Sequence, residues 1–175
     1  SCEKIKYMFP KAHAAAYVTN AFRIAWFKVH IPLAYYAAYY SIRAKAFDAQ
    51  YMIFGKEKVK NKMKEIEMKN QKKEATKAEL DMYDDLEIVL EMYERGFEFL
   101  PVDIYESEAS KFKIQDNKLR PPLNSIPGFG TVAAQGIVNA RKDGKFMSID
   151  DLKIRAKIGA SGAELLKQFG CLEGM

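Results

Sequence analysis

The sequence has 175 residues, 49% of them apolar and 13% aromatic, with a formal net charge of +5; that is enough to bury one good core or two modest ones, and it excludes a disordered tail. Lys11, Arg23 and Lys28 interrupt the most apolar stretch, and Glu3, Lys4 and Lys6 open the chain without a cleavable apolar segment, so neither a membrane span nor a signal peptide is expected. Cys2 and Cys171 are far apart and without metal-ligand company, which argues against a disulfide scaffold or a zinc site and fits a reduced cytoplasm.

The charge is unevenly spread. Residues 1 to 45 carry seven Lys or Arg against one acidic residue, residues 46 to 96 carry ten against twelve, residues 97 to 120 four against five, and residues 121 to 175 seven against five. The basic character sits at the two ends, an arrangement compatible with phosphate contacts. The chain begins at Ser1 and is rich in motifs within seven residues of that end, so it reads as part of something longer.

In chain order, Pro10 suits a first helical position, and helix-compatible residues run from Lys11 to about His30. His13, Tyr17, Asn20 and Ile24 fall on one stripe of this helix, and Ala14, Ala15 and Ala16 beside them leave a smooth surface that a flat body can approach. Pro32 opens a second helix to about Ala46. Residues 49 to 71 and 75 to 95 read as an antiparallel helical pair, the second helix opened by Thr76 and Glu79 in capping-box spacing and closed by Gly96. Leu80, Tyr83, Leu86, Val89, Leu90 and Tyr93 form its expected buried stripe, and the Lys and Glu around them a solvated face.

After Gly96 the pattern turns to β-favouring residues, Phe97, Phe99, Val102 and Ile104, then Phe112 and Ile114 before an Asp116-Asn117 turn and Leu119. A short hairpin or small sheet is predicted, limited by Pro101, Pro121 and Pro122. Helix resumes after Gly130, breaks at Gly144, and returns over about Ile149 to Lys157 and Ala163 to Phe169. The expected fold is therefore mainly α, a helical segment over residues 1–96 followed by a small α+β domain over 97–175.

The sharpest local signal is Ile126-Pro127-Gly128-Phe129-Gly130 followed by Thr131-Val132-Ala133-Ala134-Gln135-Gly136. Two glycines flanking one apolar residue before a helix allow positive φ and expose successive backbone N–H groups, a ready anion site, while Phe129 plugs inward. This is helix-hairpin-helix spacing, which grips DNA through phosphates and is largely blind to base sequence. Gly128, Phe129, Gly130 and Thr131 are the candidate contacts, with Arg141, Lys142 and Lys145 adding charge. A plain loop before a helix accounts for the pentapeptide alone equally well. A weaker second hairpin, Ile158-Gly159-Ala160-Ser161-Gly162, lacks the Gly-apolar-Gly core and offers Ser161 and Gly162. Together the two units point to a tandem domain whose hairpins each address one strand.

The stretch Tyr7-Met8-Phe9-Pro10-Lys11-Ala12-His13-Ala14-Ala15-Ala16-Tyr17-Val18, continued by Ala25-Trp26-Phe27-Lys28-Val29-His30 and Pro32-Leu33-Ala34-Tyr35-Tyr36-Ala37-Ala38-Tyr39, resembles the fingers of C-family bacterial replicative DNA polymerases. It looks closest to the PolC type, the polymerase III alpha subunit of low-GC Gram-positive bacteria. The likeness continues through Phe99-Leu100-Pro101-Val102-Asp103-Ile104, Ser107, Phe112 and the hairpin to Ile149-Asp150-Asp151-Leu152, and is weakest from Lys56 to Lys73. The resemblance implies that Lys11, His13, Ala16 and Tyr17 face the incoming deoxynucleoside triphosphate and nascent base pair, Lys11 near phosphate. Without it, His13 reads as an ordinary surface or packed histidine and Tyr17 as core.

Polymerase chemistry needs acidic side chains that hold two metal ions. The family keeps these, with Mg2+, in an upstream palm domain, and residues 4 to 47 here contain no Asp or Glu. Asp150 and Asp151 sit at a helix start, where capping suffices. No catalytic residue, cofactor or metal is therefore assigned to this chain, and alone it is expected to be inactive. Implied partners are primer-template duplex DNA, the nucleotide, the rest of the polymerase chain and, in the parent, a sliding clamp. The alternative is a stand-alone, non-specific double-stranded-DNA-binding module of a repair protein, and a scaffold without DNA contact is the residual reading.

Overall fold

The computed structural model describes residues 10–44 and 46–172. Cys2 and the start of the resemblance, Tyr7 to Phe9, lie outside the described residues. Eight α-helices and one two-stranded sheet form among the described residues, so the fold is mainly α, as expected.

The first helix, α1 (Lys11–His30), carries apolar side chains all round and buries none of its residues. Ile31 ends it, and Pro32 at the first helical position opens α2 (Pro32–Ile42), which buries Leu33, Tyr36 and Tyr40 at three- and four-residue spacing. This helix stops short of the expected Ala46. The buried Asp85 carboxylate accepts a hydrogen bond from the Ala46 N–H at 2.8 Å and draws the backbone out of the helical path.

The single helix expected over 49 to 71 is two, α3 (Ala49–Met52) and α4 (Lys56–Gln71), separated at Gly55 with φ +99°. One phenol serves both sides of the break: Tyr93 donates to the Met52 carbonyl at 2.9 Å and accepts from the Gly55 N–H at 3.2 Å. Burial pushes that phenol up to about 12, so it keeps its proton. Asp48 caps α3 by accepting from the Gln50 N–H.

The next helix, α5 (Lys77–Glu94), begins with the expected capping box, Thr76 accepting from the Glu79 N–H and Glu79 from the Thr76 N–H. Ion pairs Lys69–Glu79 at 2.6 Å and Lys56–Glu94 at 3.1 Å join opposite ends of α4 and α5, which makes the pair antiparallel. The buried stripe is Asp85, Leu86, Val89 and Met92. Of the expected residues, Leu86 and Val89 are buried, Tyr83, Leu90 and Tyr93 are half-buried, and Leu80 is exposed. The stripe is rotated because α2 and α4 both pack on α5, placing Tyr36, Tyr40, Val59 and Ile66 in its core. Replacing Thr76 by alanine removes the cap of the longest helix in this core and should lower stability by about 1 kcal/mol in urea denaturation.

Gly96, at φ +82°, closes α5. Strands β1 (Lys113–Gln115) and β2 (Lys118–Arg120) then pair antiparallel across the predicted turn, where Asp116 and Asn117 both have positive φ, 51° and 57°. The extended segment before them adds a parallel bridge, Leu119 N–H donating to the Glu98 carbonyl and Leu100 N–H to the Leu119 carbonyl. Phe99 and Leu119 enter the helical core beside Tyr40, and Phe47 and Phe112 pack there too, while Ala49 of α3 reaches the other core. The second core surrounds α6 (Thr131–Ala140), α7 (Ile149–Ala156) and α8 (Ala160–Gln168), with Val102 and Ile104 beneath them.

Candidate nucleic-acid interface

The first hairpin is built on Ile126 and Phe129, both buried, with Gly128 and Gly130 exposed between and after them. Phe129 N–H donates to the Ile126 carbonyl at 3.0 Å and closes the turn. Gly128 takes φ +79°, which L side chains adopt only under strain. Gly130 is extended, φ −70° and ψ 151°, so the conformation does not demand glycine there, and a Cβ on it would meet nothing within 4 Å. What Gly130 supplies is open space at the start of α6. The helix has no side-chain cap, so the N–H groups of its first turn have no partner within the helix and point outward. Asn124 Nδ2 donates to Thr131 Oγ1 at 3.2 Å, which leaves the threonine hydroxyl hydrogen directed elsewhere.

The second hairpin departs from the expected boundaries. α8 begins at Ala160, not Ala163, so Ser161 and Gly162 belong to its first turn. The turn itself is Lys157-Ile158-Gly159, and it reproduces the first one position by position. Lys157 has left-handed φ 55°, as Gly128 does; Ile158 is buried, as Phe129 is; Gly159 is extended and precedes the helix, as Gly130 does. Ser161 is exposed on that first turn, whereas Gly162 faces inward, where an added Cβ would lie 3.4 Å from the Phe129 ring. The two hairpins therefore meet through Gly162 and Phe129. Reading for glycine at the first position hid Lys157; the apolar-Gly pair of Ile158-Gly159 before a helix was the available signal.

The cations divide into two kinds. Arg141 is turned into the fold, donating to the carbonyls of Ile104 and Ser107 and lying 3.8 Å from Glu108. Lys142, Lys145 and Lys157 are exposed. Arg155, which the sequence reading passed over, binds the connector between the hairpin units: it donates to the carbonyls of Ala140, Gly144 and Lys145 and to Asp151, and lies 4.7 Å over the Phe146 ring. Ser148 and Asp151 cap α7 reciprocally, Asp151 accepting from the Met147 N–H, as the capping expectation for Asp151 had it. Cys171 is buried against the Val102 carbonyl, and burial pushes its thiol up to about 12, which keeps it inert.

The other candidate residues, Lys11, His13, Ala16 and Tyr17, all lie exposed on α1. The His13 and Tyr17 rings meet edge to face at 4.5 Å, one turn apart. The same helix leaves Phe22, Ile24, Trp26 and Phe27 at least half exposed, and a groove of about 800 Å³ runs between α1 and α2 past Ile24, Phe27, Tyr35 and Ile42. A helix apolar on every side is ordinarily enclosed by other structure. Among the described residues no group of three or more His, Cys, Asp or Glu is placed to hold a metal ion, and no helix is long and apolar enough to cross a membrane.

Residues 96–175 match a helix-hairpin-helix motif family. Along all 175 residues the chain is 50% identical to the PolC-type DNA polymerase III of Caldanaerobacter subterraneus subsp. tengcongensis, 51% to that of Bacillus subtilis strain 168 and 48% to that of Clostridium perfringens strain 13. It spans 12% of the length of each of these relatives. The resemblance read from the motifs is thus found along the whole chain.

Proposed function

We propose that this chain is the segment of a PolC-type replicative DNA polymerase that joins the nucleotide side of the fingers, within residues 1–96, to a duplex-holding domain, within 97–175. The identity of about one half along the entire chain carries this reading. In it, Lys11, His13, Ala16 and Tyr17 meet the incoming nucleotide and nascent base pair. Gly128, Phe129, Gly130, Thr131, Lys142 and Lys145, with Ser161 and Gly162 in the second unit, form or support the surface that holds primer-template phosphates. Arg141, bonded to backbone carbonyls, supports that surface from within. In this reading, Mg2+ and the carboxylates that hold it belong to the palm in the rest of the polymerase. The setting is cytoplasmic, and a sliding clamp is a partner of the parent polymerase. A stand-alone repair module is not favoured: the relatives matched along the whole length of the chain are polymerases.

The test is made in the complete polymerase. Base-aromatic stacking is worth roughly 1–3 kcal/mol, so His13→Ala and Tyr17→Ala should each lower kcat/KM for nucleotide by about 5- to 150-fold while the affinity for primed DNA stays at the wild-type value. Wild-type kinetics at both positions would remove the assignment.

A further inference from the structure

α1 presents a mechanical problem. It is 20 residues long, none of them buried, and it is joined to α2 by the single residue Ile31. From Lys28 to His13 the helix extends about 22 Å at 1.5 Å per residue, so a tilt of roughly 10° at its base moves His13 by about 4 Å. A site assembled on such a helix requires its base to be fixed.

The polar contacts from α1 to α5 and its cap, among the described residues, run through Lys28. Its ammonium pairs with Glu91. Its backbone carbonyl, one of the four that a helix end leaves without an internal partner, accepts from Arg95 Nη2 at 2.9 Å. The other arm of the same guanidinium donates to the Tyr36 hydroxyl at 3.1 Å, and that hydroxyl donates to Glu91 at 3.2 Å. The circuit closes: Lys28 to Glu91 to Tyr36 to Arg95 and back to Lys28, through α1, α2 and α5. Tyr36 is fully buried, which anchors the circuit in the helical core, and the guanidinium lies 5.8 Å and 6.0 Å from the Tyr36 and Phe97 ring centres. A planar fork with two separately directed donors suits this place, and a cation there also complements the negative end of the α1 dipole.

We propose that Arg95 is the positioning residue that sets the direction of α1 and thereby the places of His13 and Tyr17. It stands at the last turn of α5, next to Gly96, where the chain passes toward the hairpin-bearing half. The inference rests on the reading of α1 as the nucleotide side, and its test separates the two.

Arg95→Met retains a stem to pack on Tyr36 and Phe97 but removes both donors; Arg95→Lys retains charge and a donor. In the 175-residue chain, the single tryptophan, Trp26 on α1, reports the helix's freedom. Its fluorescence anisotropy should decay faster in Arg95→Met than in the parent, with Arg95→Lys between them. In the complete polymerase, misplacement of a reacting group by an ångström can cost 100-fold, so Arg95→Met should lower kcat/KM for nucleotide by roughly 10- to 100-fold, with duplex affinity and melting temperature unchanged. Arg95→Lys, which keeps the charge and one donor but not the fork, should recover part of the loss. Wild-type kinetics in Arg95→Met, with His13→Ala and Tyr17→Ala impaired, would overturn the role of Arg95 alone. Wild-type kinetics in all three would overturn the reading of α1 and the inference with it. A parallel fall in duplex affinity would make Arg95 a structural residue and equally overturn the proposal.

Discussion

Replacing Gly136 by alanine should destabilise the hairpin-bearing half more than a methyl added to Gly128, Gly130, Gly144, Gly159 or Gly162. Gly136 lies on α6 where that helix crosses the end of α7, and a Cβ there would sit 2.2 Å from the Ala156 carbonyl oxygen and 3.3 Å from its carbon. The obstacle is backbone, so no side chain can rotate away; the helices must separate. They are also held where they are, since Ala134, Ile137, Leu152 and Ala156 pack together in the second core and Arg155 ties α7 to the carbonyl that ends α6. Overpacking of this kind costs about 3 kcal/mol or more where the neighbours cannot yield. For a chain of this size that is a fall in melting temperature of roughly 6–12 °C. Gly130→Ala, whose new methyl meets open space, should melt within about 2 °C of the parent. Circular dichroism melts of the two variants decide the matter, and equal melting temperatures would contradict the close crossing of α6 and α7. Because that crossing fixes one hairpin unit against the other, Gly136→Ala should lose duplex binding at a correspondingly lower temperature than the parent.

The features that the sequence disclosed are those that local chemistry determines. Thr76 and Glu79 cap α5, Pro32 opens α2, Asp116-Asn117 turns the β-hairpin, and Gly128 takes a left-handed conformation in the first hairpin. The features that it concealed depend on partners far along the chain. Nothing near residue 53 announces that Tyr93, some forty residues later, supplies the groups for a break in the helix. Asp85 ends α2 in the same way. The second hairpin was recognised but placed too late in the chain, because a lysine occupies the left-handed position where glycine was sought. Arg141 and Arg155 reveal which cations are committed to carbonyls only when the fold is known. On α1 the stripe of His13 and Tyr17 was legible, but the circuit through Arg95 that holds the helix was not, since its four members come from three helices and a cap.

Gly130→Val should abolish most of the duplex affinity of a chain that otherwise remains folded. The backbone at Gly130, φ −70° and ψ 151°, is one that valine adopts readily, and the space its side chain would enter is empty. That space lies over the open first turn of α6, where a phosphate must come within hydrogen-bonding distance of backbone N–H groups. Gly128 is a poorer probe, because at φ +79° any side chain adds strain to whatever it does to binding. The parent chain should bind two unrelated duplexes alike, with a dissociation constant on the order of 10⁻⁶ to 10⁻⁴ M, and weaken as salt rises, as contacts to a few phosphates require. The most direct measurement is a salt titration of both duplexes against the parent and Gly130→Val, after circular dichroism has established that the variant is folded. Phosphate contact at this hairpin requires equal, salt-sensitive binding of the two duplexes by the parent and a loss of about tenfold or more in the variant. A folded variant that binds as the parent does, or a parent that strongly prefers one duplex, would contradict it.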